Sequence, residues 1–302
     1  MHEPDSSRTY VLGISGGKDS TALWIYLQEV LGLSCVPVFA DTVWEDDLTY
    51  EYLDYLEGRL GKLYRVTSST YPGGMVDLAQ KKGRFPSARA RFCTEQLKLV
   101  PVKRLLDEMV SVGQLNDPVQ CSGVRAEESP SRAAMAEWVD VDTFFKLPQW
   151  RPILYWSWKK VFALHKDHGI KSNPLYKMGM GRVGCMPCVM NNHRELYQIT
   201  KNRPGVFDKV TAAEHALDTA APTSPHTFWH QKAIPNRHCS IEYRDSGGTT
   251  HRLPSAADVN RYIQLSQEGK RADRHQTNMF AAFYEPENED VTTCSSIYGL
   301  CE

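Results

Sequence analysis

A chain of 302 residues, 41% hydrophobic and 24% charged, is long enough to bury a substantial core as one large or two small globular domains. The opening Met1-His2-Glu3-Pro4-Asp5-Ser6-Ser7-Arg8 has no apolar signal core, and no window reaches the uninterrupted apolar length of a membrane span. These features exclude an integral membrane protein and predict the cytoplasm. A net charge of −1 gives no global pull toward nucleic acid, so such a partner must be met by a local patch.

The first strand candidate covers 10–14 and runs directly into Ser15-Gly16-Gly17-Lys18-Asp19-Ser20. Two glycines let several backbone N–H groups converge on phosphate oxygens, and a helix starting near Ser20 adds its positive end. The spacing is not G-x-x-x-x-G-K-[ST], which serves γ-phosphoryl transfer, so chemistry at the α-phosphate is expected. The bland alternative is an ordinary glycine-rich turn. Leu23, Leu27, Val30 and Leu31 follow at i, i+4, i+7 and i+8, an amphipathic helix. Further strand candidates lie at 35–40, 63–67, 119–122 and 144–147, with helical stretches between them. That alternation predicts an α/β fold, a doubly wound, mostly parallel sheet, in which ligands bind past the carboxyl ends of the strands. Asp41 and Thr42 fall at the end of the second strand and are expected beside the first loop.

Between 81 and 104 the chain carries eight basic residues (Lys81, Lys82, Arg84, Arg89, Arg91, Lys98, Lys103 and Arg104) against Glu95 alone. Such a run holds nucleic acid or the anionic end of a nucleotide, or it is simply a solvated face. A helix is expected from Ser157, with Gly169 just past its end. Beyond 191 the pattern becomes more polar and less periodic, with loops at 220–225 and 245–250 and one clear helix candidate at 255–266. The expected division is therefore 8–195 for the nucleotide-binding domain and 196–302 for an irregular, partly helical C-terminal extension packed on it.

Eight cysteines in a chain without a signal segment point away from a disulfide framework and toward metal or redox chemistry. Cys35 and Cys121 sit in apolar strand-like runs and read as core.

Four blocks occur in a recognisable order: Ser15 to Ser20; Arg91-Phe92-Cys93-Thr94-Glu95-Gln96-Leu97-Lys98 with Pro101; Gly123-Val124-Arg125-Ala126-Glu127-Glu128-Ser129 with Arg132; and Asn173-Pro174-Leu175-Tyr176 through Gly184-Cys185-Met186-Pro187-Cys188. Together they resemble the phosphoadenosine phosphosulfate reductase family of PP-loop, ATP pyrophosphatase-like proteins, over roughly 8–195. The resemblance implies the adenine nucleotide alpha hydrolase-like fold. It implies that Ser15, Gly16, Gly17, Lys18, Asp19 and Ser20 cradle phosphate, that Asp41 and Thr42 lie near ribose or adenine, and that Arg125 faces the group joined to the α-phosphorus. Arg125 and Arg132 with Glu127 and Glu128 equally suit a surface ion-pair network.

The resemblance also implies a metal centre. The C-x₂-C pair Cys185 and Cys188 offers two thiolates on one turn, Cys93 is the natural third ligand, and Cys294 is favoured over Cys239 and Cys301 as the fourth. A [4Fe–4S] cluster is expected; a structural zinc, with His193 as a further donor, is the alternative. Thr94 stands where cluster-bearing sulfonucleotide reductases have a second cysteine, and the terminal Tyr298-Gly299-Leu300-Cys301-Glu302 only superficially matches their nucleophilic tail. Both departures shift the expectation toward the sulfur-transfer branch that modifies DNA by phosphorothioation.

On that expectation ATP, with Mg²⁺, adenylylates a nucleic-acid phosphate through Lys18, Asp19 and Arg125; sulfur comes from a cysteine desulfurase and Cys301 serves as a mobile thiol. The alternatives are a reductase of adenylyl sulfate or phosphoadenylyl sulfate, and a non-catalytic nucleotide-binding subunit of a modification or defence complex. Phe228, Trp229 and Tyr243, near Lys232 and Arg237, read either as a base-stacking platform or as core.

Overall fold

Along β1 (Thr9–Ile14) successive side chains alternate between two apolar layers, as the two-residue period of a strand requires. Tyr10, Leu12 and Ile14 enter one core with Leu23, Trp24 and Leu53, while Val11 enters another with Val38, Val102 and Leu106. Both faces of the sheet are thus covered by helices, the arrangement a buried parallel sheet demands. The computed structural model describes residues 3–266.

The elements run β1, α1 (Lys18–Ile25), β2 (Ser34–Asp41), α2 (Asp47–Leu60), β3 (Tyr64–Thr67), α3 (Met75–Lys82), α4 (Phe92–Thr94), α5 (Val100–Ser111), β4 (Val119–Cys121), α6 (Pro130–Ala133), β5 (Trp138–Val139) and β6 (Gln149–Trp150). They continue through α7 (Trp158–Asp167), α8 (Pro174–Lys177), α9 (His193–Asn202), α10 (Gly205–Ala220), β7 (Ile241–Arg244), β8 (Thr250–Leu253) and α11 (Ala256–Leu265). The main sheet has the order β3-β2-β1-β4-β6-β5, parallel except for β5 against β6. Strand order therefore reverses between β1 and β4, the switch point at which such sheets open a crevice for ligands. The expected α/β, doubly wound fold is the observed one.

Three departures from the sequence reading have local causes. The 144–147 segment is a turn, because the Asp142 carboxylate accepts the N–H groups of Phe144 and Phe145 at 2.8 and 2.7 Å and so competes with strand pairing. Strand pairing begins only at Gln149. After α1 the helix widens into a π-turn, Tyr26–Val30, which rotates the following side chains. Leu27 stays buried, but Val30 is turned out to 49% exposure.

The third departure is the region beyond 191, which is more regular than its composition suggests. Asn192 caps α9 in a reciprocal capping box with Glu195, and α10 extends for 16 residues. Helices α9, α10 and α11 share one core with Trp44, Met75 and Leu175 of the preceding region. No helix among the described residues is long and apolar enough to cross a membrane.

Candidate functional site

The Ser15–Ser20 loop closes on itself. Gly16 takes φ +79°, and a Cβ there would lie 3.1 Å from Thr49 Cγ2, so conformation and space both require glycine. Ser20 Oγ accepts the Ser15 N–H at 3.2 Å and donates to the Gly17 carbonyl at 3.1 Å. Ser15 Oγ accepts the Gly17 N–H at 3.2 Å, and the Tyr176 hydroxyl accepts the Lys18 N–H at 3.0 Å. Asn173 Nδ2 donates to the Gly16 carbonyl at 3.3 Å. Hydroxyl oxygens thus cap amides at the start of α1, where a helix favours anionic oxygen.

Behind the loop lies a buried charge cluster. Asp19 is 0% exposed; its carboxylate meets Lys18 Nζ at 2.6 Å on one side and Arg125 Nε at 2.6 Å on the other. Burial pushes the Asp19 carboxyl up, but the Lys18 ammonium and the Arg125 guanidinium outweigh it and hold it below the usual carboxylate range. Burial likewise works against the Arg125 charge, and Asp19, Glu128 and Glu127 more than offset it. Arg125 also pairs with Glu127, and Arg132 with Glu128. This is an ion-pair network, as one sequence reading had it, but Arg125 and Arg132 lie in the interior, at 3% and 1% exposure, rather than at the surface. Gly123 permits the approach of the strand end to the loop, since a Cβ there would meet the Asp19 backbone at 2.9 Å.

His165 was not singled out by its sequence context. It sits one turn beyond Val161 on the buried face of α7, and that i, i+4 spacing was the available signal. Its Nε2–H donates to the Lys18 carbonyl at 2.7 Å, while Nδ1 is buried without a partner among the described residues. Desolvation lowers its pKa.

Because β1 and β2 are parallel neighbours, the second strand's tip lies beside the loop. Asp41 Oδ1 accepts the Tyr50 hydroxyl and the Val43 N–H, both at 2.7 Å. Thr42 Oγ1 donates to Glu45 Oε1 at 2.7 Å and lies 3.5 Å from Cys185 Sγ. Cys185 Sγ in turn lies 3.6 Å from Glu45 Oε1. The Met186 N–H donates to the Trp44 carbonyl at 2.8 Å, and Trp44 Nε1 to the Pro187 carbonyl at 2.9 Å. The whole Cys185-Met186-Pro187-Cys188 turn is thereby docked on the strand tip. Lys209 closes this corner from α10, donating to the Glu45 carbonyl at 3.3 Å over the Trp44 ring; burial lowers its pKa. Glu45 and Lys209 are functional candidates the sequence reading missed.

Among the described residues no three His, Cys, Asp or Glu side chains are grouped to hold a metal ion. Cys185 engages Glu45 and Thr42, while Cys188 Sγ accepts the Met190 N–H at 3.5 Å. As they stand, Cys93, Cys185 and Cys188 do not converge as a cluster or zinc site, and no step below runs through one. Cys294 and Cys301 lie outside the described residues. Burial pushes the Cys35 thiol up to about 12 and the Cys121 thiol well above its ordinary value, which suits inert core positions.

Two surface expectations are revised as well. Phe228 and Trp229 are 3% and 4% exposed and belong to the core, so they offer no stacking platform. In the basic run Lys98 is buried and Lys103 is paired with Asp107 at 2.8 Å, leaving Lys81, Lys82, Arg84, Arg89 and Arg104 as its exposed cations.

Residues 9–191 match the phosphoadenosine phosphosulfate reductase domain. The chain belongs to this family. An uncharacterized 37.8 kDa protein of Escherichia phage 186 is similar to it, 34% identical over 97% of this chain and 96% of the phage protein. The adenosine 5′-phosphosulfate reductase of Staphylococcus saprophyticus is 36% identical over 50% of this chain and 59% of the enzyme, so the likeness spans little more than half of that relative. A phosphoadenylyl-sulfate reductase structure from Candida auris superposes with a TM-score of 0.44 at 15% identity, covering 58% of this chain and 80% of that one.

Proposed function

We propose that this protein is an ATP pyrophosphatase-type sulfur-transfer enzyme acting on a nucleic-acid acceptor, most simply the DNA backbone. The observation that carries the reading is the contact of Cys185 with Thr42 and Glu45, which puts a thiol at the same sheet edge as the glycine loop. Adenine nucleotide would enter at the β1–β4 crevice, its phosphates replacing the hydroxyls of Ser15 and Tyr176 on the loop amides. Lys18, Asp19 and Arg125 would then form a preorganised charge set under the α-phosphate.

In the reaction, an acceptor phosphate oxygen attacks the α-phosphorus of ATP, and pyrophosphate leaves with the electron pair of the broken P–O bond. The terminal sulfur of a persulfide made by a cysteine desulfurase then attacks the acceptor phosphorus, AMP departs with the former acceptor oxygen, and a thiol reductant cleaves the S–S bond to leave the phosphorothioate and a disulfide. Adenylylation thus converts a poor leaving group into a good one. Mg²⁺ would accompany the nucleotide. Since Cys93, Cys185 and Cys188 are not grouped as they stand, a [4Fe–4S] cluster or zinc on the set Cys93, Cys185, Cys188 and Cys294 would require these thiols to be drawn together, and no step here uses it. Iron and acid-labile sulfide in anaerobically purified protein check it, and absence of both together with zinc removes it.

The likeness to adenosine 5′-phosphosulfate reductases over half the chain favours a second reading, reduction of a sulfonucleotide. Labelled ATP separates the two. Acceptor-dependent pyrophosphate release supports sulfur transfer; sulfite release from a sulfonucleotide with thioredoxin, and no pyrophosphate, replaces it by the reductase. Nucleotide binding without either product leaves a non-catalytic subunit.

A further inference from the structure

Beyond the C-x₂-C turn two cavities adjoin. One, of about 330 Å³, lies between the 83–88 loop and the 224–231 segment; the other, of about 580 Å³, lies along 191–194 and Lys232. Val189, Trp229 and His230 line both, so the two adjoin along a shared wall as a groove in two parts. Its chemistry is one-sided. Arg84, Arg194 and Lys232 line it together with His193, His226 and His230, and among the described residues no Asp or Glu does.

The floor is apolar, with Phe85 and Trp229 both buried, and Trp229 Nε1 is a buried donor without a partner among the described residues. Arg84 and Lys232 are exposed. The groove starts beside the C-x₂-C turn: Val189 follows Cys188 directly, and the Cys188 N–H donates to Asn191 Oδ1 at 2.6 Å on the groove wall.

An anionic chain with flat apolar groups suits cations above a recessed apolar floor carrying one stray donor. We propose that this groove is the track of a single-stranded nucleic-acid segment, its phosphates on Arg84 and Lys232 and its bases toward the floor, leading the strand past Cys188. The inference deepens the acceptor assignment above and rests on it. A duplex does not suit the site, because cavities in the small-molecule range of about 300–1,000 Å³ admit splayed nucleotides rather than stacked pairs. With Phe228 and Trp229 sunk in the core, the groove reads charge and single-strandedness, not sequence.

The test is fluorescence anisotropy of a short fluorescein-labelled single-stranded oligodeoxynucleotide on the full chain, between about 50 and 200 mM salt. For the double variant Arg84→Ala/Lys232→Ala, whose positions are exposed and leave the core intact, affinity should fall roughly tenfold and the salt slope by about 1.4, or about 0.7 per lost phosphate contact. Trp229→Phe, which keeps the ring and removes the donor, should weaken binding a few-fold.

Unchanged affinity and slope in the double variant overturn the proposal. So does tighter binding of the duplex form, or competition by tripolyphosphate as effective per charge as that of the unlabelled strand. Pyrophosphate release followed in parallel keeps the two inferences apart. Acceptor-dependent release with no binding defect in the double variant removes the groove and leaves the function; a binding defect with no release from any form does the reverse.

Discussion

Asp19 shows how a single side chain commits the site. A carboxylate taken wholly out of water is tolerable only because two cations reach it, and each of those cations is itself buried. Asp19→Asn should therefore destabilise the fold by about 3–5 kcal/mol in urea unfolding, the cost of leaving interior charge unpaired, whereas an exposed pair such as Lys103–Asp107 should cost under about 1 kcal/mol when broken. A loss below about 1 kcal/mol for Asp19→Asn would mean that the cluster is solvated.

Glu214 behaves in the opposite way. Burial pushes its carboxyl up to about 7, although the Phe228 and Ala256 N–H groups donate to it. A carboxyl raised on folding contributes stability that is complete below its unfolded value of about 4.5 and is lost as pH rises through about 7. The melting temperature of the wild type should thus decline between pH 5 and pH 8 more steeply than that of Glu214→Gln. Parallel profiles would remove Glu214 as the cause.

At the scale of elements, helix phase and close approach decide what can be changed. The π-turn after α1 puts Leu27 in the core and Val30 in solvent, although a regular helix would bury both. Leu27→Ala should cost about 2–5 kcal/mol, while Val30→Glu should stay within about 0.5 kcal/mol in the same denaturation assay. Equal costs would place Val30 on the buried face after all. Gly123→Ala would force the start of α1 away from the end of β4, because backbone rather than a movable side chain lies within 2.9 Å of the new methyl. Nucleotide binding by calorimetry should fall at least roughly tenfold, with the pairing of Asp19 and Arg125 broken; retained affinity would show the contact to be slack.

Over the whole molecule, the region after 191 is not an appendage. Trp44, just past the second strand, stacks on Phe228 at 5.9 Å, and Lys209 Nζ lies over the Trp44 ring at 4.2 Å. Removing 192–302 would uncover the core shared with α9, α10 and α11, so the truncated chain should be aggregated or lack a cooperative melt by circular dichroism. A soluble, cooperatively melting fragment would show the first 191 residues to be self-sufficient.

Much of this was legible in the residues themselves. Strand-like runs, the glycine loop, the Ser157 cap, the helix near 255–266 and the fold class follow from hydrogen-bonding preferences and hydrophobic periods that act over a few neighbours. What depended on chain order in three dimensions was not. Arg125 meets Asp19 because β4 lies beside β1, Cys185 meets Glu45 because a distant turn docks on the tip of β2, and Phe228 is core because α10 and α11 cover it. The physical reason is that a local preference carries no information about which remote surface will desolvate it. Burial, and with it the pairing of every charge at this site, is decided only when the elements pack.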